Sequence, residues 1–270
     1  MKKMRKNGLI LIVTLLCVFG LLSCIEGDNV EEGQALGVLK FDENLTPVLY
    51  STRGPVYSPS INSFLSNYEM IPGGCYIFSY RFDAGLPENA MSVVDVNGYY
   101  TITINAFQEI DRYTVNPYID DTSKVMTDEV AISSVYENNA YSTYIEGYLF
   151  IYQSVVQPSD LLLNWYMSFD FETMMPTVEN GVNYYDVFVR ATKKNEGTKS
   201  NVDMKYLNAY NMESYLHNAA NREKSLIGSS YNESTSIFLL RFNYASEIDD
   251  DTQKITWKSK TVDVGIASFL

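Results

Sequence analysis

The sequence predicts a mainly β protein, a small N-terminal barrel followed by a β-sandwich that carries one helix. Three observations lead there. Aromatic residues make up 14% of the 270 residues, with 22 Tyr, 13 Phe and 2 Trp, and rings and β-branched side chains pack well on a pleated surface. Stretches of strict period-two alternation recur along the chain. A single stretch has helical spacing. The chain is 46% hydrophobic, enough to bury a core.

The elements follow in chain order. Residues 1–6, MKKMRK, are basic, and residues 8–22 carry no charge. That three-part form, ended by a small residue, is the form of a secretory signal. Its apolar run is shorter than the roughly 20 residues that span a bilayer as a helix. Leu21-Leu22-Ser23-Cys24 resembles a bacterial lipobox, which implies cleavage after Ser23 and lipidation of Cys24. Residues 1–23 are therefore expected as a lipoprotein signal peptide and 24–35 as an acidic tether. Loss of residues 1–23 removes four basic side chains and leaves 16 basic against 33 acidic ones, a formal −17. Such a chain is repelled by polyanions, so nucleic acid is excluded as a partner. The expected partner is the membrane, held through lipid on Cys24. Ile25 at the next position suits an outer-membrane lipoprotein, on the periplasmic face or at the cell surface.

Leu36–Phe41 and Thr46–Ser51 flank the turn signal Asp42-Glu43-Asn44, a hairpin pattern. Residues 52–73 read as loop, with Pro55, Pro59, Pro72 and Gly73. Gly74–Asp83 alternates, placing Tyr76, Phe78, Tyr80 and Phe82 on one face. Thr101–Phe107 alternates with Ile102, Ile104 and Ala106. These make a domain over 36–116. Residues 117–128, with Pro117 and Asp120-Asp121, have no period and read as a linker.

The second domain, 129–270, has longer strands. Tyr144–Gln153 reads as one strand. Leu161–Phe171 puts Leu161, Leu163, Trp165, Met167, Phe169 and Phe171 on one face. Tyr184–Ala191 and Ile237–Tyr244 repeat the pattern. Met212, Tyr215, Leu216 and Ala219 recur at helical spacing, with Asn211 as a candidate cap and Gly228 beyond the end. The apolar runs Ile255–Trp257 and Val262–Leu270 close the chain.

The lipobox, the run Pro72-Gly73-Gly74-Cys75-Tyr76-Ile77-Phe78-Ser79-Tyr80 and the ending Val264-Gly265-Ile266-Ala267-Ser268-Phe269-Leu270 together resemble the NigD-like family of bacterial lipoproteins. The resemblance implies that the first domain is an OB-like barrel and the second a β-sandwich. It implies no settled activity, catalytic residue or ligand.

Chemistry-bearing motifs are few. His217 is the one histidine and falls on the polar side of the helix pattern. Cys75, alternating within a strand, reads as a buried structural thiol. One His and one Cys do not make a zinc site, so no metal or cofactor is expected. Nucleotide-binding, zinc-protease and serine-hydrolase signatures are missing. No catalytic residue is assigned and the chain is read as a non-enzyme. A hydrolase with two convergent carboxylates stays open, since 33 acids offer many pairs. Exposed aromatics are the candidate ligand-binding residues, because a ring stacks on the apolar face of a sugar while a Tyr hydroxyl reaches its polar groups. They are Trp257, Tyr136, Tyr141, Tyr144, Tyr206 and Tyr210. The expected function is a non-enzymatic envelope lipoprotein acting as a binding or interaction module, for a glycan or another envelope protein. The alternatives are a carbohydrate-binding lipoprotein of a glycan uptake system and a fimbrial subunit that donates the strand Val262–Leu270.

Overall fold

The computed structural model of the chain describes residues 29–51, 56–59, 70–119, 121–135, 143–249 and 251–270. The expected signal peptide and Cys24 lie outside the described residues.

The first domain is a closed five-stranded barrel of β1 (Val30–Phe41), β2 (Pro47–Ser51), β3 (Tyr57–Pro59), β4 (Cys75–Asp83) and β5 (Tyr100–Ile110). The strand order around the barrel is β1-β2-β3-β5-β4, with β3 parallel to β5 and the other pairs antiparallel. Closure removes every open edge. The expected hairpin forms, with Phe41 opposite Pro47. The Asp42 carboxylate accepts from the Asn44 and Thr46 amides to hold its turn. Tyr76, Phe78 and Tyr80 fill the barrel with Tyr57, Leu39, Leu49 and Ile104. The segment after β4 returns through the short helix α1 (Met91–Asn97).

Two boundaries differ from the sequence reading. β1 starts at Val30, so the second half of the expected tether is strand, paired with Asp83, Phe82 and Arg81 of β4. Residues 57–59, inside the expected loop, form the strand that closes the barrel. Three residues ending in proline are too short to show a period, and only the gap between β2 and β5 gives them their place.

The second domain contains β6 (Arg112–Thr114), β7 (Ser134–Val135), β8 (Thr143–Ile145), β9 (Tyr148–Pro158), β10 (Leu163–Ser168), β11 (Thr177–Glu179), β12 (Val182–Lys193), β13 (Asn201–Asn211), α2 (Glu213–Ile227), β14 (Ile237–Asp249) and β15 (Lys254–Gly265). One sheet has the order β6-β13-β9-β7 with β8 beside β9; the other has β10-β12-β14-β15 with β11 beside β12. Between them lies the large core. It takes Leu161, Leu163, Trp165, Met167 and Phe169 from one strand region, and Tyr185, Val187, Val189 and Ala191 from β12. Phe171, expected on the same face, is exposed because β10 has already ended at Ser168. The run Tyr144–Gln153 is two strands joined at Glu146-Gly147, both with positive φ, the turn that suits a two-residue hairpin.

The helix buries its expected stripe, Met212, Tyr215, Leu216 and Ala219. Asn211 does not cap it; Asn211 is the last residue of β13, and the cap position is Met212. The closing run is part of the sandwich: Val262, Asp263, Val264 and Gly265 pair with Leu240, Leu239, Phe238 and Ile237, and Ile266 is fully buried.

The two domains share a third apolar cluster. Leu36, Val38, Cys75 and Ile110 of the barrel wall pack on Ile145, Phe150 and Ala209 of the first sandwich sheet. Lys40 adds a 2.6 Å ion pair to Glu146. Cys75 therefore sits in an apolar seam, and burial raises its thiol pKa to about 12, as the structural reading of that residue requires.

Candidate functional site

Residues 116–130, placed in part as a linker, run along the sandwich rather than free of it. Asn116 bridges to Ser168, and the Phe171 amide donates to the Pro117 carbonyl. Beyond them, Arg190 points out of β12 and is only 2% exposed. Its guanidinium grips Glu129 through two hydrogen bonds of 2.6 and 2.5 Å, and donates to the Lys124 carbonyl at 2.6 Å. Trp257 lies edge-on to Phe188 and near the Arg190 guanidinium. Its indole N–H donates to the Thr122 carbonyl at 3.1 Å. Trp257 thus clamps a strap, and its ring is not offered to a ligand.

The other aromatic candidates separate. Tyr210 is fully buried, stacks on Tyr113 and accepts a hydrogen bond from Gln153. It is core. Tyr144 is half-buried against Phe269. Tyr136 and Tyr141 lie outside the described residues. Tyr206 lines a cleft.

That cleft, of about 310 Å³, lies where β6, β10 and β13 meet and is lined by Asp111, Arg112, Tyr113, Leu162, Leu163, Asn164, Trp165, Lys194, Tyr206 and Asn208. Trp165 and Tyr206 form its aromatic corner, their rings 5.3 Å apart. The Tyr206 hydroxyl accepts from Gln157 Nε2, and the Oε1 of the same amide is buried without a hydrogen-bond partner. Asn208 donates to Gln153 at 2.5 Å, and Gln153 to Tyr210 at 2.7 Å. A chain of amides and phenols therefore leads inward from the cleft. Burial raises the Tyr113 and Tyr206 phenols to about 12, with Asp111 adding to the shift at Tyr113 and the Gln157 bond opposing it at Tyr206. Both stay neutral at physiological pH and remain able to donate.

The sequence reading missed Trp165, Tyr113, Asn164 and Asn208. Trp165 alternates with core residues and reads as core by period alone. The rim charges Asp111, Arg112 and Lys194 come from two segments far apart in the chain. Asp111 is the single carboxylate lining the cleft. The buried acids elsewhere are engaged: Glu129 by Arg190, and Glu223 by the Tyr185 hydroxyl and Asn183. Asp186 holds Arg241 and Asn243. No group of three metal-ligating side chains occurs among the described residues. His217 lies on the exposed side of α2, its Nδ1 2.7 Å from the Phe269 carbonyl.

A closed five-stranded barrel of this topology joined to a sandwich defines a class, the two-domain β proteins headed by an OB-like barrel. Residues 27–108 match the family described as lipoprotein OB domain. That match covers the barrel and shows that the first domain is an OB domain of the kind found in that lipoprotein family. The chain is similar across 87% of its length, and 99% of the other chain, to an uncharacterized protein from Parabacteroides merdae at 17% identity and TM-score 0.71, which shows a common fold. A NigD-like immunity protein from Bacteroides caccae aligns over 87% of this chain and 94% of its own, at 12% identity and TM-score 0.43. No curated protein matches the chain.

Proposed function

We propose that this lipoprotein is a non-enzymatic binding module anchored in the outer membrane through Cys24, and that the Trp165–Tyr206 cleft holds its ligand. The observation that carries the reading is the lining of the cleft. Aromatic edges offer an apolar wall, while two amides, two phenols and a mixed-charge rim offer donors and acceptors. That combination suits a ligand with both an apolar face and several hydroxyls, the chemistry of a sugar ring. The lone lining carboxylate does not supply the pair that glycoside hydrolysis requires.

Isothermal titration against bacterial and host glycan fragments tests it. A glycan is expected to bind the wild type and the Trp257→Ala variant alike, and to lose most of its affinity in Tyr206→Ala and Asn164→Ala. Binding that survives both cleft variants would move the site elsewhere. Intact mass of the membrane-extracted protein beside Cys24→Ala tests the anchor, and fractionation of the two membranes tests its place.

A further inference from the structure

We infer that the barrel end formed by Ala84–Tyr99 faces the lipid surface, and that the barrel is a pedestal holding the cleft away from it. The inference rests on lipidation of Cys24. It deepens that reading by assigning the surface apposed to the membrane.

The chain enters the fold at this end. The Asn29 carbonyl accepts from the Ala84 amide at 2.7 Å, and Val30 pairs with Asp83. β5 leaves from the same end, with Phe82 opposite Ile102. Asn89 locks the segment between them by donating to the Asp83 and Thr101 carbonyls and accepting from the Thr101 amide. Val94 is buried beneath α1. The outward face is therefore rigid, and it exposes Leu86, Met91 and Val96, Val96 by 83%, beside the acids Glu88 and Asp95. Residues 83–99 carry three acids and no Lys or Arg, so the contact is not one of basic attraction to anionic headgroups. The acyl chains supply the attachment, and the apolar side chains meet the headgroup boundary.

Reach decides the orientation. Five residues, 25–29, separate Cys24 from Val30. Fully extended they span about 18 Å. β5 runs from Tyr100 to Ile110, roughly 33 Å of strand, or about 25 Å of height at the usual barrel tilt. An inverted domain would lift Asn29 beyond its tether. At the far end of β5 stand Asp111 and Arg112 of the cleft, and the exposed tip Leu45 beyond β1.

The test uses the full acylated protein, extracted from membranes and reconstituted in phosphatidylcholine vesicles containing a nitroxide-labelled lipid. Fluorophores are placed on Val96→Cys, Met91→Cys or Leu45→Cys; native Cys75 is buried. The lipid is expected to quench the Val96 and Met91 labels several-fold more than the Leu45 label. Equal quenching, or stronger quenching at Leu45, overturns the orientation while intact mass still shows acylation at Cys24. A chain without acyl mass overturns the lipid reading itself, and the orientation with it.

Discussion

The barrel and the sandwich solve one problem, how to end a sheet, in opposite ways. The barrel closes on itself through the three-residue strand β3 and fills its interior with rings, Tyr57, Tyr76, Phe78 and Tyr80. The sandwich stays open, and where its two sheets part beside β6 a cleft remains, backed by buried amides. A closed interior is complete when its side chains fill it. An open end leaves polar groups that a ligand can satisfy. The proposed support belongs with the first arrangement and the proposed site with the second.

The strongest way to break the comparison is through the strap of the sandwich. Arg190→Met leaves Glu129 charged in a buried position, and loss of one partner of such a pair costs about 3–5 kcal/mol. Urea unfolding should show that loss, and Arg190→Met with Glu129→Leu should recover most of it, because the apolar pair removes the stranded charge. A double variant no more stable than the single one would mean that the carbonyl contacts at Lys124 carry the strap.

Next in size is the seam. Phe150 is fully buried between the domains, and Phe150→Ala is expected to cost about 3 kcal/mol. Its signature is qualitative as well: one calorimetric transition should separate into two, barrel and sandwich. Gly73 sharpens the barrel side. It sits at φ 76° and its amide donates to the Leu39 carbonyl. Gly73→Ala should cost about 1 kcal/mol, seen in the Phe150→Ala background as a lower midpoint for the barrel transition with the sandwich transition unchanged.

At physiological pH the smallest effect is the pH dependence at the seam, which shows only in alkaline solution. The Cys75 thiol titrates near 12 in the fold against an ordinary value of 9. The folded state holds the proton more tightly, so this contribution is complete below pH 9 and is lost as the pH climbs toward about 12. A thiol reagent at pH 8 should leave Cys75 untouched in the native chain and modify it once urea opens the seam. Modification without denaturant would show that the domains separate readily.

Much of the fold is legible in the sequence because strands buried on one face write themselves in period two. Tyr185, Val187, Val189 and Ala191 were readable as one buried face, and they are. Where a strand is covered on both faces the period fades: Cys75 and Tyr76 are adjacent and both fully buried, one against the sandwich and one inside the barrel. Trp257 was misleading for a related reason, and Arg190 shares its setting. Each occupies the outer face of a sheet, where alternation predicts solvent, and a segment without any period covers them. Of the aromatic candidates Tyr206 reaches the cleft, but its neighbour Trp165 carries the period of the core.

The sequence by itself determined the β class, the order of barrel and sandwich, and the helix, since each is written in local pattern. The tertiary structure alone decided the closing strand, the seam, the strap and the cleft. Each of these depends on residues distant in the chain meeting across sheets, and local periodicity records which face a side chain takes but not what comes to cover it.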